Sequence, residues 1–185
     1  MTITMIAKPA RVILIMNVSL IDAYRRILES ALEDVHLIRC DFAGSRGGRI
    51  VPFESAADIS GAIWDGVIDC ASEKGYAKLI LTSSELVGIN QRFYEVAVSA
   101  DSYLETPCEL TGLSLCFLPP DLCEFILLVT TESYGLLYGS DHVISTVLGK
   151  SPDECMKAFE CYVQTLRPEL EGKFLAAIHR KYLPS

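Results

Sequence analysis

Three short apolar runs crowd into residues 112–139, GLSLCFLPPDLCEFILLVTTESYGLLYG, and they limit the folds open to this chain more than any other segment. Residues 113–118 and 122–129 flank a Pro119-Pro120-Asp121 turn, and residues 134–138 follow a polar break at 130–133. A membrane-spanning helix needs roughly 18–20 consecutive apolar residues, so each run is too short to cross a bilayer, and each is too apolar to lie on a surface. The segment reads as the sheet core of a soluble domain.

The rest of the chain supplies elements to pack around that core. Residues 11–17, RVILIMN, read as a buried strand. Ser19, with Asp22 as its capping-box partner, is expected to open a helix whose apolar face runs through Leu20, Tyr24, Ile27, Leu28 and Ala31. Residues 35–42 read as a strand that Gly44-Ser45-Arg46-Gly47-Gly48 turns back, as a hairpin, into residues 49–53. Ser55 and Asp58 cap an expected helix over 56–73, with Ile59, Ile63, Val67 and Cys70 facing inward and Gly75 ending it. Residues 77–82 read as a strand and 89–104 as a helix. Ser151-Pro152-Asp153-Glu154 joins an N-cap Ser, a Pro at the first helical position and a Glu at the third, which signals a helix start. Pro168 breaks or kinks that helix before a final one over 169–182. This order predicts an α/β fold, a single mixed β-sheet with helices packed on it. Residues 1–10 read as a loose N-terminal leader. Residues 11–185 read as a single α/β domain, because 185 residues, half of them hydrophobic, can bury a full-sized core.

Charge excludes some partners. A formal charge of −8 argues against nucleic acid and against an anionic membrane surface, both of which need clustered Lys and Arg. Neither a signal-peptide core nor a membrane span is legible, so a cytoplasmic location is expected. The seven cysteines are odd in number and contain no C-x-x-C pair, which disfavours a disulfide framework and a structural zinc site. They read as buried, reduced core thiols. The sharper alternative makes Cys116 and Cys123 redox partners across the Pro-Pro-Asp turn.

No residue set announces catalysis. The glycines and arginines of residues 44–49 could cradle an anion, but a plain turn accounts for them. His36, His142 and His179 are far apart, and none has a ligand partner at helical spacing, so no metal site is expected. Ser140-Asp141-His142 has the residue types of a hydrolase triad, but Ser140 reads better as a helix cap. Asp121, Glu124 and Glu132 punctuate the apolar runs, and paired carboxylates can do acid–base work when burial separates their pKa values. Tyr134 and Tyr138 place polar tips on an apolar strand, as in the lining of a small-molecule pocket. Packing at a sheet edge is their plainer role. The candidate ligand-binding set is therefore Tyr134, Tyr138, His142 and Glu124, with no catalytic residue, no metal ligand and no assigned cofactor.

Three functions follow as expectations. The first is a non-catalytic sensory or regulatory domain that binds a small molecule or a signalling protein. The second is an enzyme with Cys123 as nucleophile, Glu124 as acid–base and His142 as orienting group. The third is an interaction scaffold that forms a homodimer through an edge strand or the last helix.

The order of elements resembles the DICT sensory domain of bacterial, especially cyanobacterial, signalling proteins. The likeness begins with SLIDAYRRILESALED, which carries Ala31-Leu32-Glu33-Asp34, and continues through VHLIRCDF, Ala57-Asp58-Ile59 and KLILTSSEL. It ends at LPPDLCEFILLVTTESYGLLYG, where Leu118, Pro120, Asp121, Glu124, Phe125 and Tyr134 match the family's turn and following strands. Phe125 stands where that pattern has Trp, and the glycine-rich stretch at 44–48 is longer. The resemblance spans roughly residues 18–165 and implies a sensing or signal-coupling role, without catalytic residues to carry over.

Overall fold

The apolar runs become neighbouring strands at the centre of a seven-stranded sheet. The computed structural model describes residues 12–55, 59, 61–86, 91–100, 102, 106–121, 124–166 and 170–183. The main-sheet strands are β1 (Val12–Leu14), β4 (Arg49–Glu54), β5 (Lys78–Ser83), β6 (Tyr94–Ala97), β7 (Leu115–Leu118), β8 (Ile126–Val129) and β9 (Tyr134–Gly139). Their order is β1-β6-β5-β7-β8-β9-β4, and every neighbouring pair is antiparallel. Cys116, Phe117, Leu127, Leu128, Leu136 and Leu137 are almost wholly buried, as strands covered on both faces require. A separate two-stranded hairpin joins β2 (Leu32–Asp34) and β3 (Leu37–Ile38).

Helices cover the sheet, giving the α/β architecture expected from the element order. They are α1 (Val18–Ala31), α2 (Cys40–Ser45), α3 (Gly61–Glu73), α4 (Asp141–Leu148), α5 (Pro152–Thr165) and α6 (Leu170–Lys181). Trp64 of α3 packs on Phe117, Phe42 of α2 on Tyr138, and Phe174 of α6 on Tyr134. The α5 helix begins with a complete capping box: Ser151 Oγ accepts from the Glu154 N–H, and the Glu154 carboxylate accepts from the Ser151 N–H. The α4 helix opens on Ser140, whose Oγ accepts from the Val143 N–H. Among the described residues no helix is long and apolar enough to cross a membrane.

Several expectations are corrected. Of the helix expected over 89–104, residues 91–100 are described as non-helical; the strand β6 lies there, because Phe93, Tyr94 and Val96 can fill the gap between β1 and β5 only as extended chain. Residues 35–42 do not form one strand. The chain turns at His36, makes the two residues of β3 and enters α2, while β4 pairs with β9. The glycine-rich stretch thus closes a short helix rather than a hairpin, and Gly48 is needed because a Cβ there would enter the Tyr138 ring. The first helix starts at Val18 on Asn17, whose side-chain oxygen accepts from the Leu20 N–H at 3.2 Å, not on Ser19. The strand expected to be buried at 11–17 is an edge strand with Ile13 and Leu14 exposed. Of six described cysteines, Cys70, Cys116 and Cys155 are buried as expected, but Cys40, Cys108 and Cys161 are exposed on short or surface helices. The N-terminal leader, the Asp58 cap partner, Cys123 and the Pro168 break lie outside the described residues.

Candidate functional site

The α3 and α4 helices form an antiparallel pair that fixes where the polar candidates sit. The middle of α3 touches the last turn of α4 at Gly66, where a Cβ would lie within 2.7 Å of the Thr146 carbonyl oxygen and closer still to that of Val147. Glu73, ending α3, meets His142, opening α4, with Glu73 Oε2 and His142 Nε2 2.8 Å apart. Lys74 Nζ donates to Glu124 Oε1 at 2.9 Å, and the Tyr76 hydroxyl donates to Asp121 Oδ2. A rim of Glu73, Lys74, Tyr76, Asp121, Glu124 and His142 therefore runs along one end of the sheet. The Glu73–His142 pair is solvent-exposed, so it holds the rim together by only about 0–1 kcal/mol. Burial, reinforced by the bond to Asp121, pushes the Tyr76 hydroxyl pKa upward. Glu124 keeps one buried oxygen, Oε2, without a hydrogen-bond partner among the described residues.

Two of the four sequence candidates, Glu124 and His142, are thus brought together, and two are not. Tyr134 is fully buried at the other end of β9, donating its hydroxyl to the His36 carbonyl at 2.9 Å. Burial pushes its pKa upward. Tyr138 is buried between Phe42 and Gly48. Neither side chain lines the cavities described below. Cys123, the thiol of the enzymatic alternative, lies outside the described residues, and the buried Cys116 thiol is pushed up to about 12 by desolvation. Among the described residues no three His, Cys, Asp or Glu side chains are grouped so as to hold a metal ion.

Sequence reasoning did not find the other end of the α3–α4 pair. A cavity of about 200 Å³ opens there, walled by Phe53, Ile63, Leu148, Cys155, Ala158 and Phe159, with Glu54 and Lys150 beside it. Ile63 reads in sequence as part of an ordinary core stripe and Phe53 as the end of a strand, and no sequence signal marks a gap beside them. A second cavity, of about 240 Å³, borders the glycine-rich stretch considered as an anion cradle. Its cations are engaged: Arg49 pairs with Asp153 at 2.8 Å and Lys181 with Glu33 at 2.7 Å. A third, of about 270 Å³, is edged by Glu29, Glu33, Asp34 and Glu85. No family model, curated protein or solved structure matches the chain.

Proposed function

We propose that this chain is a non-catalytic sensory or regulatory domain that binds a small molecule or a protein partner and relays occupancy along α3 and α4. One observation carries this reading: the same two helices wall an apolar cavity at one end and hold the Glu73–His142 rim at the other. Ile63 and Leu148 line the cavity, and Gly66 against Thr146 and Val147 clamps α3 to the last turn of α4 beside it. A helix displaced at the cavity must then move at the rim, because close-packed interiors transmit shifts rather than absorb them. The resemblance to the DICT sensory domain points the same way.

The test needs no ligand. Replacing Ala158 with Leu fills the cavity, and the His142 imidazole resonances report the rim. Relay predicts that they move together with those of Ile63 and Leu148. Cavity resonances that shift while the His142 ring stays still would remove the proposal. A second reading, a homodimerising scaffold, is favoured by the exposed apolar residues Ile13, Leu14 and Met16 at the β1 edge.

A further inference from the structure

We propose that the cavity between β4, α3, α4 and α5 binds a free apolar α-amino acid. This inference rests on reading that cavity as the sensory end of the domain. Its volume of about 200 Å³ lies below the roughly 300–1,000 Å³ of pockets for drug-sized ligands, so the occupant is small. Its walls are formed by Phe53, Ile63, Leu148, Cys155, Ala158 and Phe159, none of which carries a charge. The charged groups beside it are Glu54 and Lys150.

Those two residues define the head group. Glu54 ends β4, and Lys150 lies between the end of α4 and the start of α5; both are exposed and border the cavity. Neither takes part in a salt bridge among the described residues, with each other or with a third group. Of the first two acids that follow Lys150 in sequence, Asp153 is taken by Arg49 at 2.8 Å, and Glu154 already accepts from the Ser151 N–H at 2.9 Å and from the Ser151 hydroxyl at 2.6 Å. A carboxylate and an ammonium that form no salt bridge among the described residues, beside one apolar hollow, are complemented by a ligand carrying both opposite charges next to an apolar group. An α-amino acid with an aliphatic or aromatic side chain has that arrangement: its carboxylate meets Lys150, its ammonium meets Glu54, and its side chain fills the hollow. Neither other cavity combines an apolar wall with two free charges of opposite sign.

The experiment is a titration of the full chain with L-leucine, followed by amide NMR shifts and calorimetry. Three probes each lack one feature: 4-methylpentanoate has no ammonium, 3-methylbutylamine no carboxylate and glycine no side chain. Saturable leucine binding is expected, with shifts confined to the neighbourhood of Phe53, Ile63, Leu148 and Ala158. Each reduced probe should bind at least about tenfold more weakly, as should leucine to Glu54→Gln and to Lys150→Met, since each change removes one charge-assisted contact. Ala158→Leu should abolish binding; should that variant not fold, the two surface substitutions still decide the matter. No saturable shift with leucine overturns the proposal, and so does 4-methylpentanoate binding as tightly as leucine. Failure here leaves the relay test untouched, because that test reads the His142 ring without ligand.

Discussion

At the scale of single residues, the buried tyrosines act as backbone partners. The β2–β3 hairpin is too short to satisfy its own polar groups and does not join the main sheet, yet Ile38 is fully buried. Tyr182 answers this with one hydroxyl, which accepts from the Ile38 N–H at 3.1 Å and donates to the Ile38 carbonyl at 2.8 Å. Tyr134 does the same for the His36 carbonyl. Tyr182→Phe would strand both polar groups of Ile38 and should cost about 2–3 kcal/mol in urea unfolding, against about 1–2 kcal/mol for Tyr134→Phe. Equal, negligible losses would show that water replaces both hydroxyls. The same burial sets an alkaline limit. Desolvation raises both hydroxyl pKa values above the ordinary 10.0, so above pH 10 the unfolded chain releases protons that the folded one retains. Stability is then fully present below that pH and falls as pH rises, by about 1.4 kcal/mol per pH unit for each tyrosine. Melting temperature against pH, with tyrosinate absorbance, checks this: buried tyrosines should ionise only as the protein unfolds.

At the scale of elements, the α3–α4 contact is the most exacting one. Ala is the better helix former by about 1 kcal/mol, but a Cβ at Gly66 would press on the backbone oxygens of Thr146 and Val147, which cannot rotate away. Overpacking of this kind costs about 1–3 kcal/mol. Gly66→Ala should therefore destabilise the protein by about 1–2 kcal/mol net and shift the His142 ring signals. A stabilised Gly66→Ala protein would mean that the helices have slack and that the relay lacks its rigid link. How far each element was legible follows from where its determinants lie. The α5 helix carried its whole start signal in Ser151-Pro152-Asp153-Glu154, and β7, β8 and β9 were announced by runs that only a covered sheet can hide. The β6 strand was not, because Phe93, Tyr94 and Val96 alternate over too few residues to outweigh helical spacing, and only the pairing with β1 and β5 decides. Within the site, Glu124 and His142 stood out as polar residues beside apolar strands. Their partners Glu73 and Lys74 did not, since nothing local says that α3 ends where α4 begins.

At the scale of the whole molecule, the two edges of the sheet differ. The β4 edge lies beside α5, whose Phe159 and Cys155 wall the same cavity as Phe53. Among the described residues β1 pairs with β6 alone, and Ile13, Leu14, Met16, Val18 and Leu20 are exposed in and just after it. Residues 12–21, VILIMNVSLI, contain no charge, although exposed edges are ordinarily guarded by Lys or by an inward-pointing charge. An edge strand without charged side chains is self-complementary, because a second copy related by a twofold axis presents the same strand in the required antiparallel direction. Such a pair would join two seven-stranded sheets into one and cover the exposed apolar side chains of both copies. Light scattering behind size-exclusion chromatography should therefore give a mass that rises toward the dimer with concentration. Ile13→Lys puts a charge on the edge without touching the core and should return the monomer at concentrations where the parent chain pairs. A parent chain that stays monomeric throughout, or an Ile13→Lys variant that dimerises as well as the parent, would rule out pairing through β1.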